Sequence, residues 1–250
     1  MTVPPRVRRP IAQAVFAWSL RRLGFGNGDA RRNGEHRLLD GLPARPVVFD
    51  VGAHHGDYAA AVLARRPGAR VYCFEPSEHA FAELERRVGG RVELRPFALG
   101  DRQGAGTLHA DRPGSEMTSL YQRDLGGAGP SFTAGERVEI RTLDAVRESE
   151  GIERIDLLKI DAEGAELLVL KGAPRSILEG AVDAIVFEYG GTALDSRAFL
   201  RDFFGILGEH YDVFRVLPGG VLPLGPYRPQ LELTEYANYY CERKQTLRRS

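Results

Sequence analysis

An α/β fold, with a mostly parallel sheet and helices on both faces, is what this sequence predicts. Three observations carry the prediction. Short apolar, β-branched runs alternate with helical stretches from Pro46 onward, a glycine-bearing turn follows the first run, and an acid closes the second. At 250 residues the chain fits one large domain. We assign it residues 45–250, with an insert at about 100–154 and a helical extension over 1–44.

The extension opens with an apolar stretch, Ile11 to Leu20, behind basic residues. Arg21 and Arg22 end it, no small-residue cleavage site follows, and it is too short to span a bilayer. It reads as an amphipathic helix, Ile11 to Leu23, lying on the domain or covering its site. A membrane-surface role is the alternative that Phe16, Trp18 and the basic flanks permit.

Strands are expected at Val47 to Val51, Arg70 to Phe74, Val92 to Phe97, Ile155 to Ile160 and Ala184 to Phe187. Helices are expected at Tyr58 to Arg66 and at Ser77 to Val88, where Phe81, Leu84 and Val88 recur at spacings of three and four and Ser77 supplies a cap. The insert predicts strands at Thr107 to Ala110 and Val138 to Thr142, on either side of the glycine-rich Leu125 to Gly135. A helix from Ser196 to Leu207, strands at Val213 to Leu217 and Val221 to Leu224 around Pro218-Gly219-Gly220, and a last strand at Ala237 to Cys241 give an antiparallel ending.

Composition narrows the function. Lys plus Arg and Asp plus Glu both total 34, so no net charge draws the chain to a polyanion, and nucleic acid is not an expected partner. Cys73 and Cys241 fall in separate apolar runs and form no metal-ligand pair or redox motif, which makes a reduced, cytoplasmic protein the expectation.

The stretch VVFDVGAHHGDYAA places Asp50, Gly52 and Gly56 between a strand and a helix, where the amides of a Rossmann-like sheet edge meet a ligand. A dinucleotide fingerprint fits poorly. With Gly52 as its first glycine, His54 takes the second position and Asp57 the third, and a carboxylate there repels pyrophosphate. S-adenosylmethionine carries an ammonium and a sulfonium instead, so an acidic loop suits it. Glu75, closing the next strand before Pro76, stands where an acid grips both ribose hydroxyls of an adenosine ligand.

At the end of the fourth strand KIDAEGAE delivers Asp161 and Glu163 to the carboxyl edge of the sheet. Either is a candidate base for an alcohol acceptor, with capping of the helix behind them as the alternative and Glu166 as structural. Asp161, Glu163 and Glu188 could also gather around Mg²⁺, but no defined ligand set favours it and no metal site is assigned. Lys159, inside an otherwise apolar strand, is either a pocket cation or a lysine that extends its head to solvent, and is left outside the site.

The glycine loop, FEP, ALGD at 98–101, MTSL at 117–120, TLD at 142–144, KIDAEGAE at 159–166, VLKGA at 169–173 and FEY at 187–189 together resemble the FkbM-type methyltransferases, in order from about Arg45 to Tyr189. Upstream, NGEHRLLDGL resembles the lead-in of these enzymes. The resemblance implies a class I methyltransferase fold with seven strands and an antiparallel terminal strand, and O-methylation of sugars, polyketides or related natural products. It implies cofactor contacts from Asp50, Gly52, Ala53 and Gly56, from Glu75 and Pro76, from Ala98 and Leu99 around the adenine, and from Tyr58 after the loop.

Two other functions compete. A nicotinamide oxidoreductase would need a phosphate-tolerant loop and a TyrxxxLys pair, whereas Tyr121 is followed by Gln122, Arg123, Asp124 and Leu125. A non-catalytic cofactor-binding scaffold is opposed by the intact set Asp50, Gly52, Gly56, Glu75 and Asp161. Nitrogen methylation lacks its NPPY-type loop, with KIDAEG standing in its place. Acceptor specificity is expected in Gly104 to Glu136, the N-terminal segment and the hairpin from Leu217 to Gln230.

Overall fold

A computed structural model of the chain describes residues 10–112, 114–123, 132 and 134–245. Helix α1 (Pro10–Arg22) and the short α2 (Glu35–Leu38) precede β1 (Val47–Val51). The chain then alternates through α3 (Asp57–Arg65), β2 (Arg70–Phe74), α4 (Glu78–Val88) and β3 (Glu93–Arg95). The insert supplies β4 (Ala98–Leu99), β5 (Gly104–Ala110) and β6 (Ala134–Arg141), which form a separate three-stranded sheet in the order β4-β6-β5. Most of the glycine-rich stretch expected at 125–135 lies outside the described residues.

The second half runs α5 (Leu143–Ser149), β7 (Leu157–Ile160), α6 (Glu166–Lys171), α7 (Pro174–Leu178), β8 (Ala184–Tyr189), α8 (Thr192–Ser196), α9 (Leu200–Leu207), β9 (Tyr211–Leu217), β10 (Gly220–Pro223) and β11 (Ala237–Arg243). The main sheet has the order β10-β9-β11-β8-β7-β1-β2-β3, parallel from β3 through β8 and antiparallel beyond. It is one strand wider than the seven the resemblance implies, because β10, the strand expected after the turn at Pro218 and Gly219, folds back on β9 and joins the sheet. The helix expected over 196–207 is α9, which starts at Leu200; a separate α8 ends at Ser196, where Arg197 adopts φ 53°.

The alternation of strand side chains sorts the core onto two faces. Phe49, Val51, Phe74, Leu158, Ile160 and Phe187 pack on one face, where Phe187 stacks on Phe203 of α9 and on Tyr239 at centroid distances of 4.6 and 5.2 Å. Val48, Val71, Cys73, Leu157 and Val186 pack on the other, against Ala59 and Val62 of α3 and Leu84 of α4. Each fully buried aromatic or aliphatic side chain contributes about 1.5–3 kcal/mol through lost water contact. Asp50 and Lys159 occur on this second face, opposite one another in the β1–β7 register, so one acid and one base interrupt an otherwise apolar surface.

Two expectations need correction. Ser77 occupies the position before α4, but its side chain makes no cap; its amide donates instead to Glu75 Oε1 at 2.9 Å. Helix α1 forms, yet it neither lies along the domain nor covers the cavity. Ile11, Val15, Phe16 and Trp18 are exposed, and of its large apolar side chains Leu20 alone packs against the core. The segment behind it does join the domain, through buried Phe25, Glu35 and Leu39.

Candidate active site

Between β1 and β7 the strand order reverses, and open sheets of this kind bind ligands beyond the carboxyl ends of their strands at such a point. A cavity of about 1090 Å³ opens there.

One side of the cavity is made by backbone. After β1 the chain turns through Gly52 (φ 77°), His54 (φ 45°) and Gly56 (φ 81°), left-handed conformations that glycine adopts without strain. At Gly52 the need is absolute, since a Cβ would lie 1.8 Å from the carbonyl oxygen of Asp161. The close approach joins the two halves of the site, and Asp161 N donates to Val51 O at 3.0 Å. Glu75 fastens the turn: its Oε2 accepts from His54 N at 2.8 Å while Oε1 accepts from Ser77 N. Burial pushes its carboxyl up to about 7, against those two amide bonds. Each oxygen keeps a second lone pair for a hydroxyl donor.

The opposite side is made by side chains. Lys159 is buried with Nζ 3.2 Å from Asp161 and 3.5 Å from Asp50, and 5.1 Å from the centroid of the Tyr58 ring. Burial would lower its pKa, but Asp161, Asp50 and Glu35 outweigh that and raise it well above the usual lysine value. Glu188, near the end of β8, is raised well above the ordinary carboxylate value by burial, with the charges of Asp161 and Glu163 adding to it. Glu163, held at φ 48°, pairs with Arg123 at 3.1 Å, and burial pushes it up to about 8. Its carbonyl accepts from Ser119 Oγ at 2.6 Å, so the insert is tied across the end of β7.

Of the residues assigned from sequence, Gly52, Ala53, Tyr58, Glu75 and Pro76 line this one cavity, as do Ala98 and Leu99 on its far wall and Asp161 and Glu163 on the side-chain wall. Asp50 and Gly56 do not reach it. Asp50 lies fully buried beneath Lys159, and Gly56 lets the start of α3 approach Leu84 and Val88, where a Cβ would stand 2.8 and 3.0 Å away. Asp50 therefore acts on the cavity through Lys159, because its own carboxyl is walled off. Neither candidate base caps the helix behind β7; Glu166, in its first turn, reaches back to accept from the loop amides of Ala162 and Gly164. His54 and His55 both line the cavity, their rings 3.6 Å apart.

Three participants escaped the sequence reading. Lys159 is central rather than solvent-directed, and a charge inside an apolar strand beside a strand-end acid was its signal. Glu35 lines the cavity from α2, bonded to Asn238 at 3.2 Å and pushed by burial up to about 7. Tyr236 closes the same corner, and no local pattern marked it. The insert and the N-terminal segment contribute lining residues such as Leu108, Glu116, Gly28 and Arg31, whereas residues 217–230 contribute none.

A family model described as the methyltransferase FkbM domain matches residues 50–214. The chain belongs to the FkbM family of S-adenosylmethionine-dependent methyltransferases. It is 32% identical over 192 residues to methyltransferase sdnD of Sordaria araneosa, covering 64% of this chain and 74% of that one. It is 31% identical over 203 residues to the 2-O-methyltransferase NoeI of Sinorhizobium fredii, covering 74% and 81%. It is 34% identical over 167 residues to the 31-O-demethyl-FK506 methyltransferase FkbM of Streptomyces tacrolimicus, covering 54% and 63%. The crystal structure of methyltransferase FkbM from Methylobacillus flagellatus KT shares the fold, with a TM-score of 0.50 at 16% identity over 80% of this chain and 44% of that longer one.

The cavity suits the family's cofactor. Its loop amides and Glu75 offer donors and acceptors that the hydroxyls of a ribose would fit, and the carboxylates on the other wall offer the negative charge that a sulfonium and an ammonium would fit. Pyrophosphate would meet those same acids. Among the described residues no three His, Cys, Asp or Glu side chains are arranged to hold a metal ion.

Proposed function

We propose that this enzyme methylates a hydroxyl oxygen, on a sugar or on a polyketide-type or other small molecule, with Asp161 as the base. The observation that carries the reading is the setting of Asp161: a partly exposed carboxylate at the cavity wall, against the backbone of the cofactor loop, and fixed by Lys159. Bound S-adenosylmethionine supplies a methyl group already activated by its sulfonium. The protein has only to align an acceptor oxygen with it and receive the acceptor's proton.

Asp161 is suited to that task and Glu163 is not. Lys159 Nζ donates to Asp161 Oδ2 at 3.2 Å and fixes the carboxyl at the cavity wall. Glu163, pushed up to about 8 by burial, is occupied by Arg123, so it serves as a clamp on the insert. Two of the relatives are named for methylation of oxygen, which supports the same reaction here.

Calorimetric titration with S-adenosylmethionine, with NADH in parallel, followed by an acceptor screen among hydroxylated sugars and polyketide alcohols, tests the proposal. Saturable binding of S-adenosylmethionine and a methyl ether product that disappears in Asp161→Asn support it. Turnover undiminished in Asp161→Asn removes Asp161 as base, and methylation at nitrogen would overturn the oxygen reading.

A further inference from the structure

Helix α1 takes no part in the cavity, and of its large apolar side chains Leu20 alone packs against the core. Ile11, Val15, Phe16 and Trp18 are 79, 57, 60 and 60% exposed. Ile11, Val15 and Trp18 stand at i, i+4 and i+7 and share one stripe. Leu20, which packs on the domain, is nine residues from Ile11 and so half a turn away, leaving the stripe turned outward. A cluster of this kind marks an interaction surface, since isolated surface apolar residues need no explanation but contiguous ones do.

Charge identifies the partner. From Ile11 to Leu20 there is no ionisable side chain, Arg21 and Arg22 follow, and Arg6, Arg8 and Arg9 precede. The first 28 residues hold five of the chain's 34 basic residues and none of its 34 acidic ones, so a basic segment is joined to an acidic remainder. A second copy docked through the same helix would bring arginines against arginines, because a two-fold contact places a surface against itself. An anionic bilayer instead meets the arginines with opposite charge and the apolar stripe with hydrocarbon. Thirteen residues are too few to cross a membrane, and no helix among the described residues is long and apolar enough to do so; a helix of this length lies in the interface. Trp18, with the Arg22 guanidinium 5.3 Å from its ring centroid, is the side chain best suited to that depth.

We infer that α1 is an interfacial anchor that docks the protein on an anionic lipid bilayer. The attachment is firm where the helix meets the fold: Phe25 is buried under the Arg215 guanidinium, 4.0 Å from its ring, and Gly26 N donates to Tyr236 O at 2.8 Å. From Leu23 at the end of the helix to Gly28 at the cavity is five residues, at most about 17 Å of chain. Docking therefore brings the cavity rim close to the lipid surface.

Trp18 is the single tryptophan of the chain, so intrinsic fluorescence reports on this helix alone. The full chain is titrated with phosphatidylcholine vesicles and with vesicles containing about 30% phosphatidylglycerol, and binding is checked by flotation. The expected result is a blue shift of Trp18 with anionic vesicles, at an affinity at least about tenfold above that for neutral ones and weakened by 0.5 M NaCl. Arg21→Ala with Arg22→Ala weakens it about tenfold or more, and Ile11→Glu with Val15→Glu abolishes it, each with an unchanged melting temperature. Equal response to neutral and anionic vesicles, or no response, overturns the inference. So does a blue shift without lipid that grows with protein concentration alongside a dimeric mass in light scattering, which would assign the helix to a second copy.

Discussion

The two walls of the cavity are built in opposite ways. The β1 loop is a backbone structure: its shape is set by left-handed turns at Gly52 and Gly56, and Glu75 holds it by accepting two amides. The wall at the ends of β7 and β8 is a side-chain structure, in which Asp50, Lys159, Asp161 and Glu188 have defined positions only through one another. A backbone cradle tolerates loss of a side-chain group and keeps its form. A charge cluster does not, because each member is held by the charge beside it. On the function proposed above, the first wall holds the ribose end of the ligand and the second moves the proton.

The sharpest way to break this division is Asp161→Asn. Turnover should fall by about 10²–10⁴, the usual worth of a positioned base, while the calorimetric affinity for S-adenosylmethionine changes by less than about threefold. If affinity falls in proportion to turnover, the side-chain wall is a binding wall as well. The next largest effect is expected from Lys159→Met, which leaves Asp50 buried and uncompensated. Breaking a buried pair from one side costs about 3–5 kcal/mol, to be read as a lower denaturation midpoint. Adding Asp50→Asn to the same chain should recover part of that loss, and failure to recover would separate Asp50 from Lys159.

The unequal legibility of the two walls follows from the same contrast. Backbone requirements are written locally. Gly52 and Gly56 within one turn, and Glu75 with Pro76 at the next strand end, announce their geometry in a few residues, and they line or support the cavity as a unit. The parallel order of the sheet was readable for a similar reason, since each strand and helix carries its own period. Pairing across strands is not local. Nothing adjacent to Lys159 in sequence says that the β1–β7 register sets it opposite Asp50, and its position in a strand suggested solvent. Tyr236 and Glu35, about 200 residues apart, meet only because the sheet closes on β11, with Asn238 bonded to both. Helix α1 was recognisable as a helix, but its failure to pack is a property of the surface it leaves uncovered.

A smaller effect sharpens the first wall. Glu75→Ala should weaken S-adenosylmethionine binding by about 10- to 100-fold, the worth of hydrogen bonds to a charged acceptor. Glu75→Gln keeps one acceptor for the amides of His54 and Ser77 and should retain more of the fold's stability while losing comparable affinity. Unchanged affinity in both variants would assign Glu75 to the turn alone and remove it from ribose recognition.

The smallest expected effect runs through both walls and depends on pH. Burial raises Glu35, Glu75 and Glu166 to about 7 and Glu163 to about 8, from an ordinary value near 4.5. A carboxyl whose pKa is higher folded than unfolded stabilises the fold fully below its unfolded value and loses that contribution as pH rises through the folded one. His36 and His54, lowered by burial, act in the opposite sense but finish titrating near their ordinary value of 6.5. The ligand-free protein should therefore become less stable between pH 6.5 and 8.5, with a melting temperature lower by about 4 °C or more at the upper end. Glu75→Gln removes one titrating group from the cofactor wall and Glu163→Gln one from the other, so each should flatten the profile. The Glu163 variant should act at the higher pH of the two, and an unchanged slope in both would mean that these carboxyls remain ionised across the range.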